Sequence, residues 1–358
     1  MSSVDTMRDF GGVTRHPRQI LRPETTAAVA GHPGTVPHGT LHSNDGRALT
    51  TETALDMRAL NAVHDLGDDR ITIGAGATWR EVLDATLPRR LTPPVLTDYL
   101  DLTVGGTISA GGIGGASHVH GTQAANVIDL EVVTPTGEVL ACSPAEHAHL
   151  FDAVRAGAGR HGIITRATLR LIPAPTHVTS FDLTYANAAE LLAAHRHIHA
   201  EHVSSQAKPT GYELKAVYYQ EPPSGLGKGE ELPYQDFTDR LTPDVETFKT
   251  MGEWDRPHPW GQVILPADVA APFIERTVAA TTPADLGVSG LILIKRFTPG
   301  WVPQLRAPSD AVLLSLLRTA SPGATSEEDM HEANRAFHTE AAALGAVPYP
   351  PPSDNPTH

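Results

Sequence analysis

Between Thr97 and Gly121 the chain reads TDYLDLTVGGTISAGGIGGASHVHG, with glycine at 105, 106, 111, 112, 114, 115 and 121 and hydroxyls at Thr103, Thr107, Ser109 and Ser117. Asp98 lies just ahead of the glycines. Glycine has no Cβ, so such a segment takes positive φ and brings bare backbone N–H groups close to a ligand, as a phosphate or pyrophosphate requires. The plain alternative is a set of turns in a β-rich region. The run Thr103-Val104-Gly105-Gly106-Thr107 among β-branched neighbours favours a cofactor loop. It is not a P-loop, because no Lys-Ser/Thr follows the last glycine, and Gly74-Ala75-Gly76-Ala77-Thr78-Trp79 lacks the third glycine of a Rossmann turn.

With 358 residues the chain is long enough for two domains. A balance of 27 basic against 41 acidic residues argues against nucleic acid or an anionic membrane as the main partner. A single cysteine, Cys142, excludes an intrachain disulfide and a cysteine metal cluster. The N-terminus has no apolar signal region, and no apolar run reaches the roughly 20 residues that cross a bilayer. The expectation is a cytoplasmic protein with no membrane or nucleic-acid partner.

In chain order, Val36 to Gly46 is expected to be a surface loop with His42 facing solvent. Thr53–Asn61 and Arg70–Ala75 read as strands, and Thr78 to Leu87 as a helix that Thr78 and Glu81 cap together. Val127–Val133 and Glu138–Cys142 alternate at period two around Pro135-Thr136-Gly137, a hairpin. A helix over Glu146–Ala153 and a strand over Ile163–Ile172 follow, and Pro173 with Pro175 marks a boundary. That gives domains 1–175 and 176–345 and a proline-rich tail, 346–358. In the second region a helix is expected from Ala188 to His202 with His195, His197, His199 and His202 on a solvated face, then strands at Thr179–Leu183, Glu213–Tyr219, Val263–Pro266, Leu291–Ile294 and Val312–Leu317, and a helix at Glu327–Leu344. His118 and His120, if on a strand, point the same way, but no third ligand accompanies them and no metal is assigned.

Four segments together resemble the flavin-dependent oxidoreductases of the vanillyl-alcohol oxidase type, and among these the cytokinin dehydrogenases. They are Thr97-Asp98-Tyr99-Leu100-x-Leu102-Thr103-Val104-Gly105-Gly106-Thr107-x-Ser109, His120-Gly121-x-Gln123-x-x-Asn126-Val127, Gly159-x-x-Gly162-Ile163-Ile164-Thr165-Arg166-Ala167 and Trp254-x-x-Pro257-His258-Pro259-Trp260. They run in the family's order over about residues 36 to 345. The resemblance implies a two-domain α+β fold with FAD extended across one domain and a substrate domain, an antiparallel sheet with helices, covering its ring.

By motif position the resemblance makes His42 the residue for covalent flavin attachment. It gives Ser43, Thr103, Gly105, Gly106, Thr107, Ser109, Gly112, His120, Gly121 and Gly162 to the cofactor, and Ile163 and Ile164 to the strand beside the flavin. Asp98 would accept a proton from a substrate amine as hydride leaves the adjacent carbon, Glu213 would be a second substrate acid, and Trp254 would line the pocket. Partial burial is expected to raise the Asp98 pKa. The electron acceptor implied is oxygen or a quinone.

The family's Arg-Gly-x-Gly-His-Ser stands here as His38-Gly39-Thr40-Leu41-His42-Ser43, the N-terminal lobe is short, and the chain ends at His358 without the family's Pro-Gly-Gln return. These departures leave an alternative open: a remodelled, flavin-poor or flavin-free relative acting as a non-redox cyclase or lyase, or as a small-molecule binder, in the old cavity.

Overall fold

The computed structural model describes residues 6 to 352. A small parallel sheet holds β1 (Gln19–Leu21), β2 (Val36–His38) and β3 (Thr53–Asp56), with β3 in the centre. Beside it lies a five-stranded antiparallel sheet of β4 (Val63–Leu66), β5 (Arg70–Gly74), β6 (Val127–Val133), β7 (Val139–Cys142) and β8 (Ile163–Arg170), in the order β7-β6-β8-β5-β4. The expected hairpin is β6–β7, with Cys142 opposite Leu130.

Helix α1 (Trp79–Thr86) starts at a capping box in which Thr78 Oγ1 accepts from the Glu81 amide and the Glu81 carboxylate from the Thr78 amide. The glycine segment is more ordered than a run of turns: Val104–Ala110 is helix α2, whose Thr107 hydroxyl accepts a hydrogen bond from the buried Trp79 indole at 2.9 Å. A single helical turn, α3 (Ser117–His120), follows. Gly74 and Gly76 serve packing. A Cβ at Gly76 would lie 1.8 Å from the Met57 carbonyl oxygen, and one at Gly74 2.1 Å from that of Leu60.

The second region is built on an eight-stranded antiparallel sheet. Its strands are β9 (His177–Tyr185), β10 (His202–Lys208), β11 (Gly211–Tyr218), β12 (Glu230–Pro233), β13 (Gly261–Pro266), β14 (Leu291–Phe297), β15 (Ala311–Leu317) and β16 (Val347–Pro348), in the order β12-β9-β11-β10-β14-β15-β13-β16. The period-two alternation of side chains splits its faces. Tyr212, Leu214, Ile292, Ile294, Val312 and Leu314 pack under helices α4 (Ala188–His197), α5 (Ala267–Ala280) and α6 (Glu327–Ala342) with Leu191, Phe273 and Phe337. Glu213, Lys215, Leu293, Lys295 and Leu313 face a cavity instead. The fold is thus α+β, with a second half built as a cap on an antiparallel sheet, as the resemblance implied.

Four expectations change. Of Thr53–Asn61 only Thr53–Asp56 is strand, because the Asp56 carboxylate accepts from the Arg58 amide and starts a 3₁₀ turn. The histidine-rich helix ends at His197, and His202 opens β10, where the pairing partners β11 and β14 claim a segment whose own pattern, His-Val-Ser-Ser-Gln-Ala-Lys, is too polar to announce a strand. Of the four histidines, His197 and His199 are exposed as expected, but His195 is buried against the Ser205 hydroxyl at 2.9 Å and His202 is buried edge-on to Phe237. The tail does not stand apart, since Val347 and Pro348 extend the sheet from β13 and Tyr349 packs on the first core; residues 353–358 lie outside the described residues. Among the described residues no helix is long and apolar enough to cross a membrane.

A methyl group at residue 76 has nowhere to go but into backbone. Gly76→Ala is expected to destabilise the fold by about 1–3 kcal/mol or more, read as a lowered denaturation midpoint, whereas a packing-neutral glycine would leave it unchanged.

Candidate active site

A cavity of about 800 Å³ runs between the two halves of the molecule, within the range of small-molecule and cofactor sites. Its outer part is lined by the 38–44 loop and the glycine segment, its inner part by Asp98 and the open face of the cap sheet.

The loop is turned so that the carbonyls of Leu41 and Ser43 accept from the amides of Phe10 and Gly11. A trans peptide places its N–H opposite its carbonyl, so the His42 and Asn44 amides are directed away from Phe10 and Gly11. Three buried polar atoms of this wall, His38 Nε2, Ser43 Oγ and Asn44 Oδ1, have no hydrogen-bond partner among the described residues. Such groups are costly unless a ligand or water meets them. Leu41 sits at φ 57°, a left-handed conformation that costs a non-glycine residue about 1–2 kcal/mol. Its side chain packs against the Met7–Leu49–Ala54 cluster.

His42 is not solvent-facing. Its ring stacks on Phe10 at 3.9 Å and meets Tyr99, Trp254 and Trp260 at centroid distances of 4.9, 5.6 and 5.9 Å. Burial in this aromatic nest, helped by His258, pushes its pKa down to about 3, so the ring is neutral. On the opposite wall, Gly105, Gly106, Thr107, Ser109 and Gly112 all line the cavity, as do Thr103, Ser43, Gly162, Ile163 and Ile164. At Gly106 a Cβ would meet only Thr103 Oγ1, at 2.9 Å, so that residue is open to the cavity. Gly112 has φ 70° and lies against Gln123. The Gly105 and Thr107 amides are spent on the carbonyls of Ala75 and Thr103, so it is the open Gly106, the hydroxyls and the unpartnered polar atoms that fit the diphosphate and ribityl parts of FAD.

Three expected residues are elsewhere. His120 and Gly121 lie on and after the α3 turn, off the cavity wall, where the His120 and Thr122 carbonyls accept from Asn126. Trp254 packs behind His42 with Phe10 and Tyr99 and supports the loop rather than lining the pocket; Trp260 reaches the wall. His118 and His120 share a helical turn, and the His118 ring nitrogens meet the carbonyls of Gly115 and Ala200 at 2.9 Å each. Among the described residues no group of three or more histidine, cysteine, aspartate or glutamate side chains is placed to hold a metal ion.

Asp98 lines the inner cavity, but its electrostatics are the reverse of the expectation. Its Oδ2 accepts from Lys295 Nζ at 2.5 Å and its Oδ1 from Arg240 Nη2 at 2.5 Å. Burial alone would raise its pKa; the charges of Lys295 and Arg240 outweigh that and hold the carboxyl far below the usual range. Lys295 and Arg240 are two cavity-lining residues that the sequence reading missed. A signal existed for Lys295: it follows Leu291-Ile292-Leu293-Ile294 in register with Leu291 and Leu293, a lone charge on one face of an apolar strand. Glu213 lines the same cavity and accepts from Gln206 at 2.8 Å, with Lys208 at 3.9 Å. Tyr349 is a third: it lines the cavity, and its hydroxyl accepts from the Ile113 amide at 3.3 Å.

Residues 20–143 match the FAD binding domain family, and residues 197–337 match the family described as cytokinin dehydrogenase 1, FAD and cytokinin binding. The chain is 36% identical to an uncharacterized oxidoreductase, ORF5 of the fasciation locus of Rhodococcoides fascians, over 95% of this chain and 86% of that protein. It is 35% identical to cytokinin dehydrogenase 8 of Oryza sativa, over 72% of this chain and 64% of the relative's length. Against cytokinin dehydrogenase 4 of Arabidopsis thaliana the identity is 27%, over 80% of this chain and 70% of the relative.

Buried imidazoles give the fold a pH signature. Burial pushes the His195 pKa down to about 3 and that of His258 to about 4, alongside His42. Once unfolded, each ring protonates near 6.5. Stability is therefore complete above that value and falls as pH drops towards 4, where the unfolded chain binds protons that the folded one refuses. Asp9, raised to about 6 by burial, acts oppositely, its contribution being lost as pH rises through that value. These rings, joined by His202, whose pKa burial also holds well below 6.5, outnumber the one raised carboxyl and leave a net loss on acidification. The thermal midpoint is expected to fall between about pH 7 and about pH 5, and His195→Gln to shrink the difference; a midpoint insensitive to pH would contradict the assignment.

Proposed function

The chain belongs to the FAD-dependent oxidoreductases related to the cytokinin dehydrogenases, and from that premise we propose that it oxidises a small molecule at a carbon next to an amine nitrogen. The observation that carries this reading is the placement of Asp98, a fixed carboxylate, at the inner end of the cavity whose outer wall fits the cofactor. When bound, FAD supplies the two-electron sink that no side chain provides. His38, Ser43, Asn44 and the backbone of Gly106 would hold it.

Each Asp98 oxygen already accepts one charged donor and keeps a lone pair for a substrate N–H. Because Lys295 and Arg240 keep it ionised, Asp98 orients that N–H and meets the positive charge that grows on nitrogen as the adjacent C–H electron pair departs. It is an acceptor throughout and not a proton donor. Glu213, with Gln206, offers a second polar contact further along the cap sheet, and Leu293, Leu313 and Leu317 supply apolar walls that exclude water from the reacting carbon.

His42 is the residue proposed for covalent attachment, its neutral ring being free of a competing proton. An absorption spectrum of the purified protein tests the whole reading: a visible flavin band is expected, and colour retained in the acid precipitate marks the covalent bond. Colourless protein that takes up no added FAD would leave the non-redox alternative. His42→Ala should release colour into the acid supernatant. Asp98→Asn should keep the flavin spectrum and lower turnover of an amine substrate by about 10² or more; normal turnover would remove Asp98 from the mechanism.

A further inference from the structure

Charge within the inner cavity does not balance. Glu213 is matched by Lys208, and Lys215 by Asp182 at 2.7 Å. Asp98, by contrast, is one carboxylate against two cations, Lys295 and Arg240. Its third near neighbour, His202, is buried and its pKa lies well below 6.5, so it adds no charge. The excess is enclosed: the Lys295 side chain is 2% exposed and that of Arg240 22%.

Lys295 also has donors to spare. An ammonium carries three N–H groups, and Lys295 Nζ has one acceptor, Asp98 Oδ2, among the described residues. Of the neighbouring positions on its face, Leu293 and, across one edge, Leu313 carry no side-chain acceptor, and Ser204 on the flanking strand β10, which also lines the cavity, makes no hydrogen bond to Lys295 among the described residues. A buried cation with unfilled donors at the wall of a large cavity, on a protein of net charge −14, is a recognition element for an anion.

Taking the amine-oxidising reading of the site as given, we propose that the substrate is an amine that also carries a carboxylate, which docks on Lys295 and Arg240 beside Asp98. Bound there, the carboxylate brings the set to two negative and two positive charges and fills the open donors. It also removes the repulsion that an uncompensated cation pair would exert on positive charge growing at the substrate nitrogen. The residue that decides specificity is Lys295, since Arg240 is held by the Phe237 carbonyl and stacks on the Phe237 ring.

Calorimetric titration of the purified protein with benzoate and with benzamide, which share shape and differ in charge, separates this inference from the redox reading, because neither probe is oxidised. Benzoate is expected to bind at least about tenfold tighter, the worth of one charged hydrogen bond. Lys295→Met should abolish that preference. Asp98→Asn, which removes the competing anion and leaves both cations, should tighten benzoate binding, and it keeps the inference testable if Lys295→Met does not fold. Equal affinities, undetectable benzoate binding, or weaker benzoate binding by Asp98→Asn would each overturn it. Failure of the oxidoreductase reading would show separately, as absence of flavin colour.

Discussion

Among the ties between the two halves of this molecule, which include the Arg80–Asp239 ion pair and the Thr92–Tyr234 hydrogen bond, the Asp98 carboxylate is the one that lines the cavity. Asp98 comes from the segment that precedes the glycines, while Arg240 and Lys295 come from the cap, so the two hydrogen-bonded ion pairs cross the cavity they help to line. Removing one partner of such an enclosed pair costs about 3–5 kcal/mol, because a charge is left without compensation. The cap sheet is thereby held over the glycine segment, and the inner cavity keeps both its shape and its charge. The same constraint fixes the chemistry available: an aspartate held ionised by two cations orients and stabilises, and it cannot serve as an acid near neutral pH.

Around that clamp, each sheet is used on two faces. In the cap, alternate residues of β11, β14 and β15 go to the helices or to the cavity, and the cavity-facing set carries Glu213, Lys215 and Lys295 among leucines. On the other side, the 38–44 loop leaves buried polar atoms without partners among the described residues. An aromatic nest of Phe10, Tyr99, Trp254 and Trp260 keeps His42 neutral. Leu41 shows how a branched residue is accommodated in this loop: it takes a left-handed backbone and its side chain turns to an apolar cluster.

Much of this was legible in the sequence wherever the signal is local. Thr78 and Glu81 announce their capping box, the β6–β7 hairpin follows from alternation around Pro135-Thr136-Gly137, and the glycine density marks the wall that fits a cofactor. Local signals failed where a neighbour distant in the chain decides. His202 looked like the end of a polar helix and became the first residue of a central strand. Trp254 seemed a pocket wall and packs behind it, and a proline-rich tail joins the sheet edge.

The amino-acid order by itself announced the capping box, the β6–β7 hairpin and the glycine wall, since periodicity, capping and the lack of a Cβ act within a few residues, while its resemblance to a known family implied the two-part α+β architecture and a role for Asp98 beside that wall. Only the tertiary structure decided the charge state of Asp98 and the seclusion of His42. Both depend on groups 142 and 197 positions away for the carboxylate, and on four aromatic rings gathered from separate segments for the imidazole. Electrostatic and desolvation energies are set by distance in space, which the folded chain alone establishes.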